Sequence, residues 1–281
     1  METINRKNFT NGFVAALALE DGMKIETTAT CLPVATEMRG TGRTDNRVDY
    51  NNHDDVNWKQ KYMIGVSTQS GCPVKCKFCA VNKLTEKQGW RNLTTEEIIE
   101  QVQWAIDESG HNPNDAEIFR VLFTRMGEPA MNVKNVIEAA RILKVQFPHV
   151  RIQISTIGFG VHSRRLVIEL AKLTEEFDDE FIELQFSIHS TDNEFRKWLQ
   201  HNGVLENETI SNLIAAHWQP EKRNWKVTLN FALAEDTPFD VAKLREQFNP
   251  EQVFIKVSPI NENSESDDNG IKSLFKNENT I

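Results

Sequence analysis

Cys72, Cys76 and Cys79 lie in the stretch Gly71-Cys72-Pro73-Val74-Lys75-Cys76-Lys77-Phe78-Cys79-Ala80, with the spacing C-x3-C-x2-C. Packing has no use for sulfur at that interval, so the expected work of these thiols is to bind metal as thiolates. Their number is informative. A structural zinc site takes four ligands in a closed tetrahedron, and an electron-transfer 4Fe-4S cluster also takes four thiolates. Three thiolates leave one iron of a 4Fe-4S cluster without a protein ligand. That iron can chelate the amino and carboxylate groups of S-adenosylmethionine (SAM), placing its sulfonium for one-electron cleavage to a 5′-deoxyadenosyl radical. The plainer alternatives are a zinc site completed by a distant histidine, and incidental thiols. Cysteine is scarce, and three of its four copies sit in this loop, which favours the cluster. The fourth, Cys31, falls in an apolar strand-like run and reads as a buried small hydrophobe.

Other residues suit a ligand at the same place. In Gly127-Glu128-Pro129, a glycine lets backbone approach a ligand, and the Glu128 carboxylate suits the cationic amino group of SAM. On its own this tripeptide is a turn. Ser155 and Ser187, each at the end of an apolar run, suit the carboxylate or ribose of SAM, and equally suit capping the helix that follows. His189 reads either as a donor to the cofactor or as a satisfied strand-end histidine. Gly158-Phe159-Gly160 is half of a dinucleotide-binding fingerprint but lacks the third glycine, which discards a nicotinamide site.

The elements that position these residues follow from periodicity. Gly12 to Leu19 and Lys24 to Leu32 read as a β-hairpin about Glu20-Asp21-Gly22. Six strands are then expected near 62–67, 117–123, 150–155, 181–188, 226–233 and 253–257, separated by helices. One helix opens on a capping box from Thr94 to Glu97, and Asn132 is expected to cap another. Alternation of this kind implies α/β architecture with a parallel sheet and right-handed crossovers, and ligands then sit at the carboxyl ends of the strands. The expected organisation is a hairpin with a long polar loop over 1–60, a core over 61–262 and a polar tail over 263–281 that frays or forms a weak terminal helix. The stretch 33–60 is long enough to suggest a lid shaping substrate entry.

Composition narrows the class. With 41 acidic against 32 basic residues the net charge is −9, which disfavours nonspecific attraction to a polyanion. No apolar run nears the ~20 residues of a membrane span, and the first residues lack a signal-peptide core. No membrane association and a reducing, cytoplasmic setting are therefore expected.

From about residue 12 to 262 the chain resembles the radical SAM adenine carbon-2 RNA methyltransferases and their carbon-8 relatives. The resemblance rests on Ser67-Thr68-Gln69-Ser70-Gly71-Cys72, Met126-Gly127-Glu128-Pro129, Ile154-Ser155-Thr156, Phe186-Ser187-Ile188-His189 and Pro259-Ile260-Asn261. It implies a partial (βα)6 radical SAM barrel. It also implies a 4Fe-4S cluster on Cys72, Cys76 and Cys79, and a SAM site lined by Gly127, Glu128, Ser155, Ser187, Ile188, His189 and Asn261. Glu26 matches the glutamate assigned there as proton acceptor.

The departures are as informative. That family uses one cysteine that carries the methyl group and a second that resolves the covalent enzyme–RNA adduct. The resolving position is Gly65 here, and nothing after Cys79 is cysteine. The family's helical N-terminal accessory domain is not expected in this chain, which reads equally as a naturally reduced version and as an incomplete copy. The cofactor pocket therefore carries over and the methyl relay does not. The leading expectation is reductive cleavage of SAM to a radical acting on an unidentified substrate. The alternatives are an RNA adenine methyltransferase-like enzyme with a non-standard relay, and a cluster- and SAM-binding protein without turnover. Electrons are expected from a flavodoxin- or ferredoxin-like donor.

Overall fold

The computed structural model describes residues 1–32, 37–38, 43–44, 57–219 and 225–275. Strands β1 (Glu2–Phe9), β2 (Gly12–Ala18) and β3 (Lys24–Leu32) form an antiparallel meander. The β2–β3 hairpin lies where alternation places it. Its inward residues Phe13, Ala15, Leu17, Ile25 and Ala29 are buried, and Gly22 takes φ 80° in the turn. Cys31 is buried and free, as expected of a small hydrophobe. β1 is unexpected from the sequence because almost every residue in it is exposed.

Two-residue strands β4 (Glu37–Met38) and β5 (Arg43–Thr44) form a separate ladder. The rest of 33–60 up to Asn57, read above as a lid, lies outside the described residues. β6 (Lys61–Val66) pairs antiparallel with β3 and opens the parallel part of the sheet. β7 (Gln69–Ser70) and β8 (Arg91–Asn92) pair across the cysteine loop and α1 (Val81–Gln88), closing that segment at its base.

The remaining order is α2 (Thr95–Ser109), β9 (Ile118–Phe123), α3 (Val133–Gln146), β10 (Arg151–Thr156), α4 (Gly160–Phe177), β11 (Ile182–Ser187), α5 (Asn193–Leu199), α6 (Asn207–Leu213), β12 (Val227–Leu233), α7 (Val241–Gln247), β13 (Val253–Pro259) and α8 (Ser264–Asp268). Nine strands run β1-β2-β3-β6-β9-β10-β11-β12-β13, and every pair from β6 to β13 is parallel. β1 and β13 are the edges of that order, so the sheet is open. The α/β class and the six expected parallel strands are all present.

Period-two burial explains why this sheet has one dry and one polar face. Ile64, Val66, Phe119, Val121, Phe123, Ile152, Ile154, Leu184 and Phe186 are buried against helix stripes such as Ile98, Val102 and Ala105 of α2. Fully burying each such side chain stabilises by about 1.5–3 kcal/mol. The intervening residues Arg120, Gln153, Ser155, Glu183 and Gln185 face the other way and bond to one another. Arg120 pairs with Glu183 and donates to Gln153 Oε1 at 3.2 Å, and Gln185 Nε2 donates to Ser155 Oγ at 2.9 Å.

The capping box at α2 forms as expected, with Thr94 Oγ1 accepting from Glu97 N and Glu97 Oε2 accepting from Thr94 N. Asn132 does not cap α3. Its amide donates instead to the Thr68 and Leu93 carbonyls, each at 2.8 Å, and so ties α3 to the two ends of the cysteine segment, where Leu93 N also donates to Thr68 O at 3.1 Å. Among the described residues no helix is long and apolar enough to cross a membrane.

Candidate radical cofactor site

The cysteine loop leaves β7 at Gly71, whose φ of 71° and near contact with the Gly89 carbonyl admit only glycine. Its backbone is held from outside. Cys72 N donates to Thr85 Oγ1 at 2.9 Å, Lys77 N to Leu199 O at 2.9 Å and Asn82 Nδ2 to Cys76 O at 3.0 Å. Asn263 Nδ2 reaches Phe78 O at 2.9 Å and Asn269 Nδ2 reaches Lys77 O at 3.0 Å, across more than 180 residues of sequence. The stretch expected to fray or form a weak terminal helix carries, in its described part, a short helix docked on this loop. Its signal was present in Asn263-Ser264-Glu265-Ser266, a capping box that the polar composition obscured.

Cys72, Cys76 and Cys79 are free thiols, partly reached by water and closely surrounded by protein. Burial pushes the Cys72 thiol up to about 12, with the charges of Cys79 and Glu128 adding to it. Cys76 is driven well above its ordinary range by burial and by its two partner thiols, and Cys79 is raised by burial first. The three thiols thus stand within electrostatic reach of one another and of Glu128. Among the described residues no three His, Cys, Asp or Glu side chains are grouped to hold a metal ion. Three neighbouring thiols can ionise together only if a cationic centre compensates their charge, which is what a bound metal cluster would supply.

Glu128 is buried at 3% exposure, and its carboxylate is engaged inside the protein. Oε1 accepts from Ala130 N at 3.0 Å and from the Thr156 hydroxyl, and Oε2 accepts from Ile157 N at 3.0 Å. It ties the loop after β9 to the end of β10. Gly127 carries φ 104°, and an added Cβ would stand 2.6 Å from Gln69 Cβ, so the loop closes on the cysteine segment only with glycine here. Ser155 accepts from Gln185. Ser187 ends β11, and its carbonyl accepts from Gln200 Nε2 at 2.7 Å.

Ile188 is fully buried, and Ile188 N and His189 N both donate to Asn230 O, turning the chain at φ 65°. His189 Nδ1 accepts from Ala232 N at 2.9 Å, and the ring meets Phe78 edge-on, with centroids 5.2 Å apart. Burial and the nearby Arg196 guanidinium lower its pKa to about 3, so the ring is neutral. Asn261 is exposed, and its carbonyl accepts from the same Asn263 amide that holds Phe78.

Two residues that sequence reasoning passed over complete the frame. Arg196 is fully buried. Its guanidinium donates to the carbonyls of Ile188 (3.0 Å), Leu205 (2.6 Å) and Ile157 (3.2 Å), joining the ends of β10 and β11. Arg125 pairs with Glu26 at 3.3 Å over Gly65. Neither had a local signal, since each acts through partners remote in sequence. A separate cavity of about 730 Å³ lies at the amino ends of the strands, beside His149, Arg151 and Trp225, and no cysteine lines it.

A family model described as the radical SAM superfamily matches residues 66–217. The chain is 27% identical over 213 residues to a protein named probable dual-specificity RNA methyltransferase RlmN from Heliobacterium modesticaldum, covering 72% of this chain and 51% of that protein. A protein of the same name from Thermotoga neapolitana is 34% identical over 205 residues, covering 70% and 54%. The chain thus spans about half the length of these relatives. Among solved structures, a radical SAM methyltransferase from Sphaerobacter thermophilus superposes with TM-score 0.65 at 22% identity, covering 92% of this chain and 67% of that one. A spore photoproduct lyase with bound AdoMet superposes with TM-score 0.51 at 14% identity, covering 76% and 63%.

Proposed function

Since the chain belongs to the radical SAM superfamily, we propose that it is an enzyme that reductively cleaves SAM and directs the resulting radical to abstract hydrogen from a substrate. When bound, a 4Fe-4S cluster with SAM supplies one-electron cleavage of the sulfonium to methionine and a 5′-deoxyadenosyl radical. Cys72, Cys76 and Cys79 would hold the cluster. The backbone at Gly127 and the ends of β10, β11 and β13, at Ser155, Ser187, Ile188, His189 and Asn261, would line the SAM site. Neutral His189 offers no cation to the site, and its edge-on contact with Phe78 packs the cysteine loop against the end of β11. The electron would come from a flavodoxin- or ferredoxin-like donor.

The observation that carries this reading is the meeting of three partly buried, free thiols with the glycine loop at Gly127, at the carboxyl ends of parallel strands. The likeness to proteins named RNA methyltransferases supports a second reading, in which RNA is the substrate and Glu26 the proton acceptor. One feature weighs against a resolving thiol in this chain. Gly65 holds its expected position, and a side chain there would stand 2.5 Å from Thr28 Oγ1 and 2.9 Å from Arg125 Nε. Glu26, the proton acceptor of that reading, is ion-paired with Arg125.

Anaerobically reconstituted protein given dithionite and SAM is expected to release 5′-deoxyadenosine and methionine, and the Cys76→Ala variant is not. Binding of SAM without products would instead support a non-catalytic protein. A gain of methylated adenine in RNA from expressing cells would favour the second reading.

A further inference from the structure

Within the reading above, on which it rests, we infer that Arg125 is the residue that anchors an oxyanion of the substrate, a phosphate or a carboxylate, at the mouth of the sheet. Arg125 lies two residues before Gly127, on the loop after β9, with its backbone N donating to Val66 O at 3.2 Å. Its side chain crosses the sheet at Gly65, where the lack of a Cβ makes room: Nε and Cδ stand 2.9 and 3.3 Å from the point a Cβ would occupy. Gly65 and Thr28 are register partners on the polar face, so the Arg125 side chain lies over that face where β3 and β6 pair. Glu26, its partner, is among the charges that bear on Cys79.

The Arg125–Glu26 pair is built to open. At 3.3 Å, with side chains 34% and 44% exposed, it is long and solvent-screened. Arg120, deeper on the same face, contrasts with it, being closely paired with Glu183 and bonded to Gln153. Nor does the pair hold the backbone together, because Ser67 does. Ser67 Oγ donates to Glu26 O at 2.7 Å and accepts from Met126 N at 3.2 Å. A guanidinium with one weak partner, fixed over an open face, matches the planar, two-point geometry of a phosphate or carboxylate. An incoming oxyanion displaces the Glu26 carboxylate, which then faces the substrate.

Calorimetric titration of the reconstituted protein with SAM present tests this, using inorganic phosphate in one arm and acetate in the other. Saturable binding in either arm is expected, with phosphate alone indicating a phosphoryl group and acetate alone a carboxyl group. Arg125→Gln should weaken binding about tenfold or more, and Glu26→Gln should tighten it by removing the competing carboxylate. A purely structural Arg125 would not produce that tightening. Equal affinity in wild type and Arg125→Gln, or no saturable binding of either anion to wild type and Glu26→Gln, overturns the inference. The readout is heat of anion binding, so failure here is separable from failure of SAM cleavage.

Discussion

His189 and Arg196 show how single side chains set the chemistry of the site. His189 sits at φ 65°, fully enclosed, with its Nδ1 committed to Ala232 N. Its folded pKa of about 3 lies below the ordinary value near 6.5, so between those limits the unfolded chain binds the proton and the folded one does not. Its contribution to stability is complete above about pH 6.5 and is lost as pH falls toward 3, by up to about 1.4 kcal/mol per pH unit. Thermal unfolding between pH 7 and pH 5 should therefore fall more steeply for wild type than for His189→Asn, a residue that tolerates this backbone conformation. Parallel pH profiles would contradict it. For Arg196, exchange to Met should leave the Ile157, Ile188 and Leu205 carbonyls without their donor, at a cost of about 1–3 kcal/mol for each group left unpaired. Denaturant unfolding reads that loss, and an unchanged midpoint would mean the carbonyls find other donors.

Among the elements, α8 is the one whose role depends least on its own composition. Five residues long and polar, it gains its place from Asn263 and Asn269, which bond the Phe78 and Lys77 carbonyls, and from Glu265, which accepts from Asn82 Nδ2 at 2.9 Å. Asn269→Ala should lower thermal stability by about 1 kcal/mol, as one net hydrogen bond is worth. It should also reduce iron retained after reconstitution. Iron content equal to wild type would show that the loop keeps its form without the clamp. The same element shows where reading the sequence runs out. The parallel strands were legible because each alternates or runs apolar within six or seven residues. Local capping was legible at Thr94 and not at Asn132, where distant carbonyls claim the side chain. β1 carries no apolar alternation, so pairing with β2 rather than burial defines it.

Taken as a whole molecule, the chain sets one dry and one polar face on an open nine-stranded sheet, with the cysteine loop, the Gly127 loop and the strand ends gathered along one rim. The gathering of those loops at one rim followed from the spacing of three cysteines and the regular β-α alternation, while the ninth strand, β1, and the polar face did not. The residues that refine the rim did not follow, because Arg125, Arg196 and Asn263 act across contacts no local pattern encodes. At Gly65 the family resemblance implies a missing thiol, and the fold fills that space with Thr28 Oγ1 and the Arg125 side chain.

The decisive measurement is electron paramagnetic resonance of the anaerobically reconstituted, reduced protein, with and without SAM, beside iron and sulfide analysis. The account predicts iron and sulfide in equal amounts, and a cluster signal that changes when SAM is added. That signal should vanish when any one of Cys72, Cys76 or Cys79 is replaced by alanine. Zinc in the loop, no cluster, or a cluster signal indifferent to SAM would contradict it.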